Sequence, residues 1–347
     1  MRLFQEENIQ NLLQQGKAQG IFSKAVAGFV LPDGSRHVVA LDTAEDTLFD
    51  IASLTKVCPT STLALCSILR GELDVDAKVI DFIPELHTNY RDDIRIFHLL
   101  THSLDYRVPM KTLRTLPPEK ILDALFTYQF QIPPGKAFNY GNPPSVLLGI
   151  VLNRLTGKSL QQLGREVFFK PLQMERSGWD PLERFPKEQI MPTEECEFRG
   201  RTIQGEIHDE SAWVLRKLFP VGSAGMFSNV PDLLRFVQMV LNDGVFEGKT
   251  VAPAGLLDLV SHNAFAPEVG AETALGWELN AERFMGSRRS PHTFGKTGFT
   301  GASIVADPEK GAAAVLLSNF TWPHREPSAD RINQFRAALS DLFFGQV

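Results

Sequence analysis

Apolar residues along this chain change period twice. Near the N-terminus Ile9, Leu12 and Leu13 recur at i, i+3 and i+4, the spacing of one helix face. Two runs rich in strand formers follow, KAVAGFVL at 24–31 and RHVVAL at 36–41. Pro-Asp-Gly-Ser joins them, which predicts a hairpin. Helical patterns then dominate, at 54–70, 93–101, 119–128, 143–156 and 231–242. Between about 178 and 222 the pattern dissolves into proline, glycine and charge, a long irregular segment of a kind that often carries function. Strand signals return in GASIVADPEKGAAAVLLSNF, where Asp-Pro-Glu-Lys-Gly joins two apolar runs as a second hairpin. Ile332, Phe335, Leu339 and Leu342 mark a closing helix, with Ser328 or Asp330 at its N-cap.

This order predicts an α+β fold. Two hairpins far apart in sequence can share one antiparallel sheet, flanked by the N- and C-terminal helices, while the middle forms a large inserted, mainly helical domain. The expected division is 1–58 plus 275–347 for the sheet domain and 59–274 for the insert, with the active site in the cleft between them.

Composition narrows the function classes. The 347 residues allow two domains or one large one, and 43% hydrophobic with 22% charged residues is a globular balance. A formal charge of −6, with no Lys/Arg cluster, argues against a nucleic-acid partner. No stretch approaches the roughly 20 apolar residues of a membrane span. The opening MRLFQEENIQNLLQQGKAQGIF holds no apolar run before a small-residue cleavage site, so a cytoplasmic protein is expected. Cys58, Cys66 and Cys196 are too few and too odd in number for a disulfide framework, and the first two read as core residues. His98 and His102 have a spacing that can serve a metal. No Glu follows His98, however, and FHLLTHSL reads as a helix end, so no metal is expected.

Three short motifs carry candidate chemistry. Ser53 and Lys56 form the one S-x-x-K in the chain. On a helix, i and i+3 share a face, so Lys56 can reach the Ser53 hydroxyl. A serine hydroxyl needs such a base, and a buried lysine of lowered pKa can serve as one. The competing reading is a capped helix start with a solvated lysine. In FNYGNPPS, Tyr140 and Asn142 can face one cavity from a turn before a helix, Tyr140 to relay a proton and Asn142 to bond a substrate amide. Asn-Pro also starts an ordinary turn. In TFGKTGFTGAS, Gly298 lets backbone approach a ligand, and Lys296 can bind a carboxylate or hold down the pKa of a nearby phenol. The three G-K-[ST] tripeptides, at Gly157, Gly248 and Gly295, lack the glycine five positions earlier that a phosphate loop needs. VGSAG at 221–225 fails G-x-S-x-G because Val221 replaces the first glycine.

Each motif alone is weak, but S-x-x-K, Y-x-N and K-T-G occur in that order, at a helix start, an inter-helix loop and a strand edge. With LFDIASLTK, PPGKAFNYGN, SAGMFSNVPDLLRF and GKTGFTGASIVADPEKG, the set resembles the serine β-lactamase and penicillin-binding protein family. The likeness is to its class C β-lactamase-like branch, which includes D-alanyl-D-alanine carboxypeptidases and esterases. The resemblance implies a β-lactamase/transpeptidase-like fold and a serine hydrolase acting through an acyl-enzyme on an amide, β-lactam or ester. A carboxylesterase, or a non-catalytic sensor that binds β-lactams or peptides, are its alternatives. It implies Ser53 as nucleophile and Lys56 with Tyr140 as base and proton relay. Asn142, Lys296, Thr297, Gly298 and Phe299 then handle substrate, with the N–H groups of Ser53 and Phe299 as oxyanion hole. It implies no cofactor, and a small-molecule or peptide partner bearing an acyl group. HLLTHSLDY departs from the THTSGL ending of relatives, so the rim at 103–118 is expected to differ. K-T-G in place of H-T-G leans towards carboxylate-bearing substrates. In GEIHDESAW, His208 either lines the cleft or makes a structural loop hydrogen bond.

Overall fold

The computed structural model describes residues 4–108, 110–266, 269 and 271–347. Residue 109, within the predicted rim, lies outside them, as do 1–3, 267, 268 and 270.

The two predicted hairpins do share one sheet. Its strands are β1 (Ala25–Val30), β2 (Arg36–Leu41), β3 (Glu278–Leu279), β4 (Phe294–Thr297), β5 (Ser303–Asp307) and β6 (Ala312–Ser318). They pair antiparallel in the order β2-β1-β6-β5-β4-β3. Chain-distant β1 and β6 lie side by side in the middle, with Val26 opposite Leu317 and Phe29 opposite Ala314.

Of the helices α1 (Glu6–Ala18), α2 (Thr62–Leu69), α3 (Pro143–Thr156), α4 (Val230–Leu241) and α5 (Asp330–Phe344), α1, α4 and α5 pack on the sheet, while α2 and α3 pack against other helices. The period of two along β1 sorts side chains to opposite faces. Ala27 and Phe29 pack under the terminal helices with Ile9, Leu13, Phe335 and Phe343. Val26 and Val30 face the other core, which also holds Leu233, Leu234 and Val237 of α4. Both faces are therefore covered, so all six β1 residues are buried rather than alternating. Each large apolar side chain buried there contributes about 1.5–3 kcal/mol. The glycine at 28 sets how closely α4 can approach: a Cβ there would lie 2.3 Å from Val230 Cγ1.

Several expectations shift. The helix read at 54–70 is not continuous. A 3₁₀ turn (Ala52–Lys56) leads to Cys58, whose φ of −115° and ψ of 99° are not helical, and regular helix starts only at Thr62. Pro59 is the cause, because a proline drives its predecessor out of the helical region. By length and composition alone the stretch Ala52–Leu69 could span a membrane, but 83% of it is buried in the core. The 178–222 segment is less irregular than expected. It holds a small hairpin, Pro192–Cys196 with Arg201–Gln204, and a helix, Glu210–Leu215. The closing helix starts at Asp330 with Ala329 at its N-cap, and the Ser328 hydroxyl accepts from the Asp330 N–H. Cys58, Cys66 and Cys196 are free and buried.

Candidate active site

The turn that carries Ser53 is held in an uncommon shape. Ala52 has φ +47°, a left-handed conformation that costs a residue with a Cβ about 1–3 kcal/mol unless its surroundings impose it. Here they do. The Ala52 N–H donates to Asp50 Oδ1 at 2.8 Å, and the Thr55 hydroxyl donates to the Ala52 carbonyl at 2.7 Å. Asp50 Oδ2 accepts the His208 N–H at 2.7 Å, and the Asp50 carbonyl accepts the Thr300 hydroxyl at 2.7 Å. One residue thus ties the Ser53 turn to the 208 loop and to the turn after β4. Burial pushes the Asp50 carboxyl up, against the N–H groups of His208 and Ala52.

Lys56 sits one 3₁₀ turn beyond Ser53 and is 1% exposed. Its Nζ donates to Ser53 Oγ, Asn142 Oδ1 and the Ser223 carbonyl, each at 2.9 Å. Burial, reinforced by the Lys296 cation, holds its ammonium below the ordinary lysine value; Tyr140 and Asp209 oppose that shift. The solvated-lysine alternative is thereby removed. Tyr140 lies in the turn before α3, 43% exposed, with its phenol close enough to Ser53 and Lys56 for both to act on its proton. Lys296 Nζ is 4.0 Å from the centre of its ring and Lys56 Nζ is 5.3 Å from it. The ring is half exposed, but desolvation at its hydroxyl end would raise the phenol; Lys296, Lys56 and the Ser53 hydroxyl outweigh this and the net shift is downward.

Asn142 is engaged at both ends of its amide. Oδ1 takes the Lys56 proton donor, while Nδ2 donates to Asp209 Oδ2 at 3.0 Å. Lys296, on β4, is 1% exposed and pairs with Glu278 Oε1 at 3.1 Å. Thr297 ends β4, half-buried. Gly298 follows under close contact, since a Cβ there would meet the Ile51 carbonyl oxygen at 2.5 Å. Phe299, in the next turn, is 49% exposed. Among the described residues the N–H groups of Ser53 and Phe299 have no acceptor within the protein. All eight sequence-predicted residues therefore gather at the join of sheet and helical insert.

The histidines are used otherwise. His208 is buried, bonds Glu194 Oε2 at 3.0 Å and stacks on Phe299, with ring centres 5.7 Å apart. It is a structural loop residue that also backs the turn after β4. Glu194 and Glu210 share Arg325, and the Glu194 carboxyl is held at about 2: burial opposes this, and the hydrogen bonds of His208 and Arg325 outweigh it. His98 Nδ1 accepts the Arg95 N–H, and burial lowers its imidazole to about 4. His102 lies past the helix end at φ +52°, its ring 5.0 Å from that of Tyr140. Among the described residues no three His, Cys, Asp or Glu side chains are placed to share a metal.

Sequence reasoning passed over Asp50, Glu278 and the Ser223 carbonyl, and met Asp209 only as part of a segment. Asp50 had a signal: it is the one charge in the apolar run LFDIAS.

An antiparallel sheet closed by terminal helices and carrying a helical insert defines the β-lactamase/transpeptidase-like fold. Solved structures share it. The chain superposes on EstCE1, a hydrolase with promiscuous acyltransferase activity, with a TM-score of 0.76 at 20% identity over 98% of both chains. A β-lactamase/D-alanine carboxypeptidase from Pseudomonas syringae gives 0.75 at 18% identity, again over 98% of both. The β-lactamase family model matches residues 9–339, so the chain belongs to that family of serine hydrolases. Among its relatives is an N-acetylmuramyl-L-alanine amidase of Bacillus subtilis (strain 168), 29% identical over 79% of this chain and 68% of the relative. Another, from Escherichia coli (strain K12), is provisionally named D-alanyl-D-alanine carboxypeptidase; it is 29% identical over 82% of this chain and 71% of the relative.

Proposed function

We propose that Ser53 is the nucleophile of an acyl-enzyme mechanism acting on a small-molecule or peptide amide, β-lactam or ester. The observation that carries this reading is a buried Lys56 ammonium 2.9 Å from Ser53 Oγ, with a Tyr140 phenol beside both. Ser53 Oγ attacks the acyl carbon as its proton passes to the Lys56–Tyr140 pair. Both groups lie below their ordinary pKa values, which brings a base towards neutral pH. Oxygen charge on the tetrahedral carbon falls to the N–H groups of Ser53 and Phe299; one such donor is typically worth about 3 kcal/mol. The pair then returns its proton to the leaving group, and water, activated the same way, releases the acyl chain. Lys296 acts on Tyr140 through its charge. The sheet portion 1–58 plus 275–347 and the insert 59–274 form the walls of this cleft.

Carboxylesterase activity on the same machinery is a second reading. Beside the exposed Lys136, the large apolar side chains exposed around the Y-x-N and K-T-G motifs are the aromatic Phe138, Tyr140 and Phe299, while Lys296 is buried and already paired with Glu278. Both facts suit an uncharged acyl group better than a carboxylate. EstCE1, named as a hydrolase with acyltransferase activity, agrees in fold; the amidase and carboxypeptidase names of other relatives favour amides.

The test is covalent. A fluorophosphonate probe is expected to add one adduct, mapped by mass to Ser53, and Ser53→Ala is expected to remove it. Labelling that survives the substitution overturns the reading. Nitrocefin and p-nitrophenyl esters, compared on the same preparation, separate the two substrate classes.

A further inference from the structure

The Ser53–Lys56 pair does not end at Asn142. A side-chain amide offers an acceptor at one end and donors at the other, and nothing intrinsic decides which end faces Lys56. Only the oxygen can take the ammonium donor. The opposite end, Nδ2, then needs an acceptor, and Asp209 Oδ2 stands 3.0 Å from it. An ionised carboxylate accepts and never donates, so it enforces one orientation of the amide.

Asp209 is itself fixed. Its Oδ1 accepts the Ser211 hydroxyl at 2.6 Å and the Ala212 N–H at 2.8 Å, as the N-cap of helix Glu210–Leu215. Burial opposes its charge, but the Ser211 and Ala212 bonds, then Lys56 and Asn142, keep it below the usual carboxylate range. Four groups thus run in a line from a helix cap to the nucleophile: Asp209, Asn142, Lys56 and Ser53. The cap was available in the sequence as an Asp before ESAW, but its link to Asn142, 67 residues away, was not.

We propose that Asp209 is a positioning residue for the Ser53–Lys56 pair: it locks the Asn142 amide with its oxygen towards Lys56 and sets a fixed negative charge behind that lysine. The proposal rests on the reading of Ser53 as nucleophile. Lys56 is faced by Tyr140 from the turn before α3, Lys296 from β4, His102 beyond helix Ile96–Leu100, and Asp209. Asp209 is the carboxylate on the Lys56 side, while Glu278 on β3 pairs with Lys296 and acts on Tyr140. Removing a negative charge makes Lys56 and Tyr140 better acids, so the base becomes available at lower pH.

Asp209→Ser separates this role from helix capping. Serine caps a helix about as well as aspartate, yet it is too short to hold Asn142. The variant is expected to melt near the wild type and to lose roughly 10- to 100-fold in the rate of fluorophosphonate addition to Ser53, a loss like that on removing a residue that orients a metal ligand. Its acid limb of kcat/KM is expected to move down by roughly one pH unit. Asp209→Asn keeps the reach and loses the charge; it is expected to shift the limb equally with a smaller loss of rate. It also decides the question if Asp209→Ser does not fold. Wild-type rates with an unmoved limb in a folded variant overturn the proposal, as does a rate loss with the limb unmoved in both variants. Failure of the wild type to label at Ser53 instead removes the underlying reading, whatever Asp209 does.

Discussion

Two buried lysines flank Tyr140, and they are held in opposite ways. Lys56 donates to three neutral oxygens, of Ser53, Asn142 and the Ser223 backbone. Lys296 donates to the Glu278 carboxylate, which also pairs with Arg283. Neutral acceptors satisfy the donors of an ammonium, and the Asp209 carboxylate stands behind Asn142 and not on Lys56 itself, so burial is only partly offset and the proton is held weakly. A carboxylate partner fixes the charge. Glu278 complies: burial would raise its carboxyl, and Lys296 and Arg283 bring it below its ordinary value. On the proposed reading, the same residue type on either side of one phenol divides into a group that trades a proton and a group that provides a field. The S-x-x-K and K-T-G motifs each contain a lysine, and only the partners tell them apart.

The strongest way to break this division is Lys56→Arg. The charge stays, but a guanidinium does not deprotonate near neutral pH. If Lys56 trades a proton, kcat is expected to fall by about 10²–10⁴, the range of general acid–base catalysis. Hydrolysis of a p-nitrophenyl ester measures it, with a thermal melt to show that the larger side chain is accommodated. Activity within tenfold of the wild type would mean that Lys56 also acts only through its charge.

The partners were the part that the sequence did not disclose. Strand and helix types followed from period, and the two-hairpin sheet from turn residues at Pro32–Ser35 and Pro308–Gly311, because both signals are local. The three motifs were legible because their residues are close in the chain. Asp50 is different: its role comes from the His208 N–H, 158 residues away. A lone carboxylate has no signature until the fold supplies its donors. Glu278 lies 18 residues before Lys296 on a two-residue edge strand too short to read by alternation. The break at Pro59 was legible in principle, but the apolar run through Leu63 and Leu65 masks it when period alone is counted.

Glu278→Gln sharpens the Lys296 side. It leaves a lysine that is 1% exposed without its counter-charge. Breaking a buried pair from one side costs about 3–5 kcal/mol, and the lower end is expected because the Glu278 side chain is 14% exposed. Urea unfolding of the variant is expected to show a loss of about 3 kcal/mol with an unchanged m-value. A loss below about 1 kcal/mol would show that solvent already screens the pair, as at an exposed surface bridge, and that Lys296 needs no fixed partner.

The smallest effect is expected for Lys296→Arg, and it is the one that tests the comparison itself. Arginine keeps the charge, pairs with a carboxylate through two donors, and stacks on aromatic faces, which suits a site between Glu278 and the Tyr140 ring. What it cannot do is give up a proton. If the Lys296 site needs only a field, kcat/KM should stay within about tenfold of the wild type, or within about 1.4 kcal/mol of transition-state stabilisation. Lys296→Met, which removes the charge, should cost more, because the largest influence lowering the Tyr140 phenol is gone. The acid limb of kcat/KM should then move to higher pH, since a phenol released from a cation holds its proton more tightly. A Lys296→Arg loss as large as that of Lys56→Arg would place proton transfer on both lysines and end the distinction between them.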